Sequence, residues 1–173
     1  MITARKKLSM QLSIRKLTAS CFAILVIFCQ SANAAEDLDI RDYEAADSCN
    51  TEAMQVRVSV NNVGPGGILT VELYNDPKNF LNKKGRLRRI RVPASEGCQE
   101  VCFNIEEQGT YAVAAYHDVD GNRKLKKKWN MTPNEPFGLS NNPKMKFGFP
   151  KFEKSAFTTD KLGVDITIDL QEP

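Results

Sequence analysis

Apolar side chains recur at every second position through a series of short runs, and this alternation constrains the fold more than any other feature of the chain. Val56, Val58 and Val60 alternate with Arg57 and Ser59, and Leu69, Val71 and Leu73 share one face of 68–74. In 86–92, Ile90 and Val92 face inward while Arg89 and Arg91 face out. Val101, Phe103 and Ile105 repeat the pattern, as do Tyr111, Val113 and Ala115 within 109–117. A short run at 156–159 and a strict alternation of Val164, Ile166, Ile168 and Leu170 close the chain. A period of two sends successive side chains to opposite faces, so each run reads as a half-buried strand. No segment holds the helical period for three turns, and no internal repeat is present. Turn-forming residues at 61–67 and 75–77 separate the runs, with Phe80 and Leu81 anchoring the loop that follows. The expected fold is all-β: an antiparallel β-sandwich of about seven strands with one long loop insertion. Gly109-Thr-Tyr111 fits a tyrosine corner, in which a Tyr just after a turn bonds back to nearby backbone.

The first 34 residues read differently. Arg5, Lys6, Lys7, Arg15 and Lys16 give a basic start, and Cys21 to Cys29 form an apolar run too short to span a bilayer. Ala32-Asn33-Ala34 then places small residues at both recognition positions for cleavage before Ala35. The pattern predicts a signal peptide over 1–34, starting at Met1 or Met10, and a periplasmic or secreted protein. A lipid anchor does not fit, because Cys29 follows Phe28 and Cys21 stands at the start of the run rather than after it. Residues 35–52 are polar and acidic and read as a flexible leader, which leaves 53–173 as a single sandwich domain.

Cleavage changes the charge argument. The segment removed holds five of the 24 Lys and Arg and none of the 21 Asp and Glu, so 19 basic residues remain against 21 acidic ones. A net charge near −2 takes away the clustered positive charge on which nucleic-acid binding rests. Nothing after residue 34 is apolar enough for stable membrane insertion. The four arginines at 86, 88, 89 and 91 read as a charged edge strand guarded against aggregation rather than as an anion site.

Three cysteines stay with the mature chain. Cys98 and Cys102 would lie about 13 Å apart in one extended strand, too far to bond. The expected disulfide therefore joins Cys49 to either Cys98 or Cys102 and leaves one free thiol. There is no Cys-x-x-Cys pair, and a zinc site would need a fourth ligand from a chain with one His.

Residues 118–154 lack a steady period, and a connection of that length is often the acting part of a domain. It opens with Asp118, Asp120 and Asn122, short oxygen side chains at every second position around Gly121. Ca²⁺ loops use such spacing, but Gly121 comes too early for an EF-hand, and Trp129 stands where its bidentate Glu would be. Arg123, Lys124, Lys126, Lys127 and Lys128 crowd the same loop and would repel a cation unless they fold away. An Asx-turn loop is the plainer reading, with Asp118, Asp120 and Asn122 as weak candidates for Ca²⁺. His117 ends a strand on the face of Tyr111, Val113 and Ala115 without a second His or a placed nucleophile, so no catalytic set stands out. Glu135, Ser140, Asn141 and Asn142 read as loop anchors or ligand contacts, and Trp129 as a stacking surface or a cover for the open end of the sandwich.

The strings from His117-Asp118 to Leu125, from Pro133 to Asn142, and from Phe149 to Phe157 resemble the bacterial family catalogued as domain of unknown function 2141. The resemblance runs from about Gln55 to Leu170. It implies an exported protein with a transthyretin-like or prealbumin-like sandwich and no assigned activity or ligand. Many members carry a more acidic loop, with Gly where this chain has Arg123 and Asp where it has Lys126. The expected function is a non-enzymatic binding or structural module acting through 117–142 on a small ligand, glycan or protein. The ligand contacts would come from His117, Asp118, Asp120, Asn122, Trp129, Glu135 and 140–142. Two alternatives stand beside it: a Ca²⁺-stabilised structural domain, and a hydrolase using His117, Asp118 and Glu135.

Overall fold

A computed structural model describes residues 38–128, 133–144 and 150–173. The expected signal peptide and Trp129 lie outside the described residues. Eight strands run in the order β1 (Gln55–Val63), β2 (Ile68–Tyr74), β3 (Arg86–Pro93), β4 (Gly97–Asn104), β5 (Thr110–Asp118), β6 (Phe137–Leu139), β7 (Phe157–Thr158) and β8 (Gly163–Asp169). They form two sheets, β4-β1-β8 and β3-β2-β5-β6, with β7 paired to β5. The protein is therefore an all-β sandwich, as the alternation requires.

The two inner faces meet in one core. Val56, Val58, Val60, Val101, Phe103 and Ile168 come from the smaller sheet, and Leu69, Val71, Leu73, Ile90, Val113 and Ala115 from the larger. Each Val, Leu, Ile or Phe side chain among them, taken fully out of water, contributes about 1.5–3 kcal/mol, which makes this interior the main source of stability. A second apolar cluster of Tyr74, Ala112, Ala114, Leu139 and Phe152 covers the outer face of the larger sheet. Phe80 and Leu81 pack against it, as expected of loop anchors, and Phe80 meets the rings of Tyr74 and Phe152 edge-on. The tyrosine corner forms: Tyr111 donates its hydroxyl proton to the carbonyl of Glu107 at 2.8 Å.

Four sequence expectations need correction. The sheets are not wholly antiparallel, because β8 runs parallel to β1 from Gln55↔Gly163 to Asn61↔Asp169. Gly163 starts that pairing at φ +81°, where a Cβ would fall 1.8 Å from the Gln55 carbonyl oxygen, so only glycine fits. The long connection is not without regular structure. It contains β6, which pairs with Ala114–Tyr116 of β5, and a one-turn helix at Phe152–Ser155.

The expected flexible leader is fastened to the sandwich over 38–52. A 3₁₀ turn at Asp42–Glu44 buries Glu44, Asp47 bridges to Cys102, and Cys49 forms a disulfide with Cys102, Cα to Cα 5.3 Å. Cys98 is the exposed free thiol. Finally, β3 is an edge strand as expected, but Arg91 is not solvated. It points off the core face, where the 42–44 turn covers it and Glu44 takes its charge. Arg86 and Arg89 pair with Glu72, and Arg88 with Asp47.

Candidate functional site

The site forms where β5 leaves its sheet. Strand parity sends His117, opposite Leu69, toward the interior, and Asp118, opposite Ile68, to the other face. These neighbours consequently do different work. His117 is buried, and its Nε2 lies 2.7 Å from the carbonyl oxygen of Gly66. A Cβ on Gly64 would come within 2.9 Å of the imidazole ring, so His117 wedges against the β1–β2 turn and closes that end of the sandwich.

Beyond Asp118 the chain turns sharply. Gly121 donates its N–H to the Asp118 carbonyl at 3.2 Å and sits at φ +63°. The buried Asp118 carboxylate accepts N–H bonds from Asn122 at 3.2 Å and Arg123 at 2.5 Å. Asn122 donates its side-chain amide to Asp120 and accepts from Lys124 N at 2.9 Å. The loop thus uses its short oxygen side chains to cap its own backbone, the Asx-turn role. The chain then doubles back, with Lys127 bridging Pro133 and Asn134 N–H donating to the Lys126 carbonyl at 2.8 Å. That return delivers Glu135 to Asp118.

Carboxylate oxygens of Asp118, Asp120 and Glu135 lie within 4.8 Å of one another. Asp118 and Glu135 are buried and Asp120 is exposed. Burial pushes the Asp118 carboxyl up, with the facing Asp120 adding to it against the Arg123 N–H bond. Burial and then the charge of Asp118 push Glu135 up to about 7. Asp120 is held down to about 2 by Lys126 and Asn122. Lys126 reaches the cluster through an ion pair with Asp120. Arg123 folds away toward Glu44 at 2.8 Å and Asp39 at 3.1 Å. Glu135 is 5% exposed, and its Oε2 has no hydrogen-bond partner among the described residues.

The structure therefore joins Asp118, Asp120 and Glu135 and leaves His117 and Asn122 out of that group. Ser140, Asn141 and Asn142 lie elsewhere and are engaged by the chain. The buried Ser140 hydroxyl accepts from Val113 N at 2.9 Å and donates to the Ser155 carbonyl at 2.5 Å. Asn141 donates to the Ala156 carbonyl at 2.7 Å, and Asn142 accepts from Asp169 N at 2.9 Å. They clasp β6 to the 152–155 helix and to β8. Cys49, Glu100 and Cys102 also come close together, but the disulfide uses both sulfurs. An open groove of about 430 Å³ lies on the outer face of the larger sheet, lined by Tyr74 and Phe80 and, from the long connection, by Leu125, Lys127, Phe137 and Phe152. No helix among the described residues is long and apolar enough to cross a membrane.

A family model described as "Uncharacterized protein conserved in bacteria (DUF2141)" matches residues 58–167. No curated protein and no solved structure matches the chain.

Proposed function

Because the chain belongs to this bacterial family, domain of unknown function 2141, we propose that it is an exported, non-enzymatic β-sandwich that serves as a binding or structural module through residues 117–142. One observation carries the binding reading: Glu135, nine-tenths buried, keeps an oxygen unpartnered beside two further carboxylates. An unsatisfied buried acid costs about 1–3 kcal/mol or more, so a chain that retains one at the base of its most elaborate loop has kept a place for a ligand. The neighbouring groove, lined in part by the same connection, supplies room for a small molecule, glycan or peptide.

The position of His117 disfavours the hydrolase alternative. Its ring is engaged by Gly66 and stands outside the carboxylate group, so His117 is not placed to act as a base together with Asp118 and Glu135. Export is supported by the basic, apolar and small-residue order of 1–34 and by the Cys49–Cys102 bridge, a bond that persists in oxidising compartments.

The test is fractionation of cells producing the full chain, with amino-terminal sequencing, followed by amide chemical-shift mapping against sugars and short peptides. Cleavage before Ala35 and shifts confined to 117–142 are expected. An uncut cytoplasmic chain would overturn export, and ester or glycoside turnover lost on Glu135→Gln would overturn the non-enzymatic reading.

A further inference from the structure

We infer that Asp118, Asp120 and Glu135 form a seat for a hard divalent cation, Ca²⁺, and that Lys126 is its built-in competitor. The inference rests on the reading of 117–142 as the acting loop and names that loop's ligand. Three carboxylates from two separated stretches of chain converge within 4.8 Å. That lies inside the about 5 Å spanned by two oxygens on opposite sides of a Ca²⁺ bound at 2.3–2.6 Å. All three donors are oxygens and no described His or Cys joins them, which excludes soft-metal chemistry and suits Ca²⁺.

Glu135 is the independent sign of a ligand. Acidic clusters on a surface are solvated and ask for nothing. Glu135 is removed from water, and its Oε2 has no partner among the described residues. The backbone N–H of Lys126, and more weakly its ammonium, ease the charge of Glu135.

Charge balance points the same way. Asp118, Asp120 and Glu135 together carry up to three negative charges, and Lys126 supplies one positive charge through Asp120. Arg123, which by sequence would crowd the loop, spends its guanidinium on Glu44 and Asp39. Asn122, the third candidate by spacing, is tied to Asp120 and Lys124. The group that completes the cluster instead comes from residue 135, carried there by the turn-back at Lys127↔Pro133. A Ca²⁺ entering the seat takes Asp120 from Lys126, whose ammonium returns to water at 53% side-chain exposure. That exchange sets the affinity below that of a site without a resident cation.

Thermal melts of the chain as purified from cells, in chelator and in about 5 mM Ca²⁺, test this. The wild-type midpoint should rise by about 5 °C with Ca²⁺. Glu135→Gln should fold, with a midpoint in chelator no lower than wild type, and lose the rise. Lys126→Gln should reach half the rise at about five- to tenfold lower Ca²⁺. No rise in wild type, or a rise that survives Glu135→Gln, overturns the cation seat. Amide shifts in the same samples separate this from the broader reading. A loop that ignores Ca²⁺ but still responds to a sugar or peptide retires the cation alone, whereas shifts with those ligands that fall only outside 117–142 retire the loop.

Discussion

Glu44 and Arg91 form a buried ion pair across 47 residues of sequence, the acid from the turn ahead of β1 and the base from the middle of β3. Their side chains are 3% and 2% exposed, and Arg123, from the loop after β5, reaches the same carboxylate. One acid thus gathers the leader, an edge strand and the loop after β5.

Removing that acid should be costly. Glu44→Ala leaves Arg91 buried and unpaired, and breaking a buried pair from one side costs about 3–5 kcal/mol. Urea denaturation should show this loss, while Glu44→Leu combined with Arg91→Met should recover most of it. A loss under about 1 kcal/mol in the single variant would mean that the 42–44 turn does not hold the sheet.

The Cys49–Cys102 bridge joins positions 53 apart, a loop for which chain entropy predicts about 4 kcal/mol of stabilisation. Reduction should lower the melting midpoint by more than 10 °C. Peptide mapping after maleimide treatment without reductant should label Cys98 and leave the peptides of Cys49 and Cys102 linked. Labelling of Cys102 in the folded chain would contradict the pairing.

Tyr111 holds the Glu107 carbonyl by one hydroxyl. Tyr111→Phe keeps the ring in the core and removes that bond, so stability should fall by about 1 kcal/mol with the fold intact by circular dichroism. An unchanged urea midpoint would show that the corner contributes nothing.

Glu135 makes stability depend on pH in the direction opposite to a salt-bridged acid. Its folded-state pKa near 7 lies above the ordinary ~4.3 of an unfolded Glu. Below about pH 4 both states hold the proton, and the group contributes nothing. As pH rises, the unfolded chain ionises first, so the folded state loses stability until about pH 7, after which the loss levels off. Asp118 and Asp120 face Glu135 and strengthen the effect, while Lys126 opposes it. Asp47 and Asp165, held low by burial-opposed bonds to Arg88 and by Arg57 respectively, act in the acid range and lose their contribution as pH falls. With chelator present, the melting midpoint should decline between pH 4.5 and 7, and Glu135→Gln should flatten that decline. An identical slope in the variant would show that Glu135 does not set this pH dependence.

The strands were legible because alternation is a local signal: Val56–Val60 and Val164–Leu170 declare their faces without reference to any partner. Alternation does not say which strand lies alongside, so the parallel pairing of β8 with β1 was not legible. Phe137-Gly-Leu139 is too short to show a period, so β6 was hidden inside what read as a loop. The burial of Glu44 depends on Arg91 and Arg123, 47 and 79 residues away, and nothing in 35–52 announces it. Asp118, Asp120 and Glu135 were each visible as candidates. Their meeting was not, because it depends on the chain reversing between Lys127 and Pro133, and spacing along the loop favoured Asn122 instead. His117 was readable in part: parity placed it inward, and its fate followed from the glycine turn it meets there.

The parallel pairing of β1 and β8 has a consequence for how the molecule comes into being. Gln55 meets Asn104 on one flank and Gly163 on the other, so the second flank of β1 stays bare until the residues of β8, 108 positions further along, have been made. Such distant pairing is slow to form. The sheet β3-β2-β5-β6 draws its strands from residues 68–139 and can close without β8, so the smaller sheet is the one left incomplete until the chain has passed residue 163.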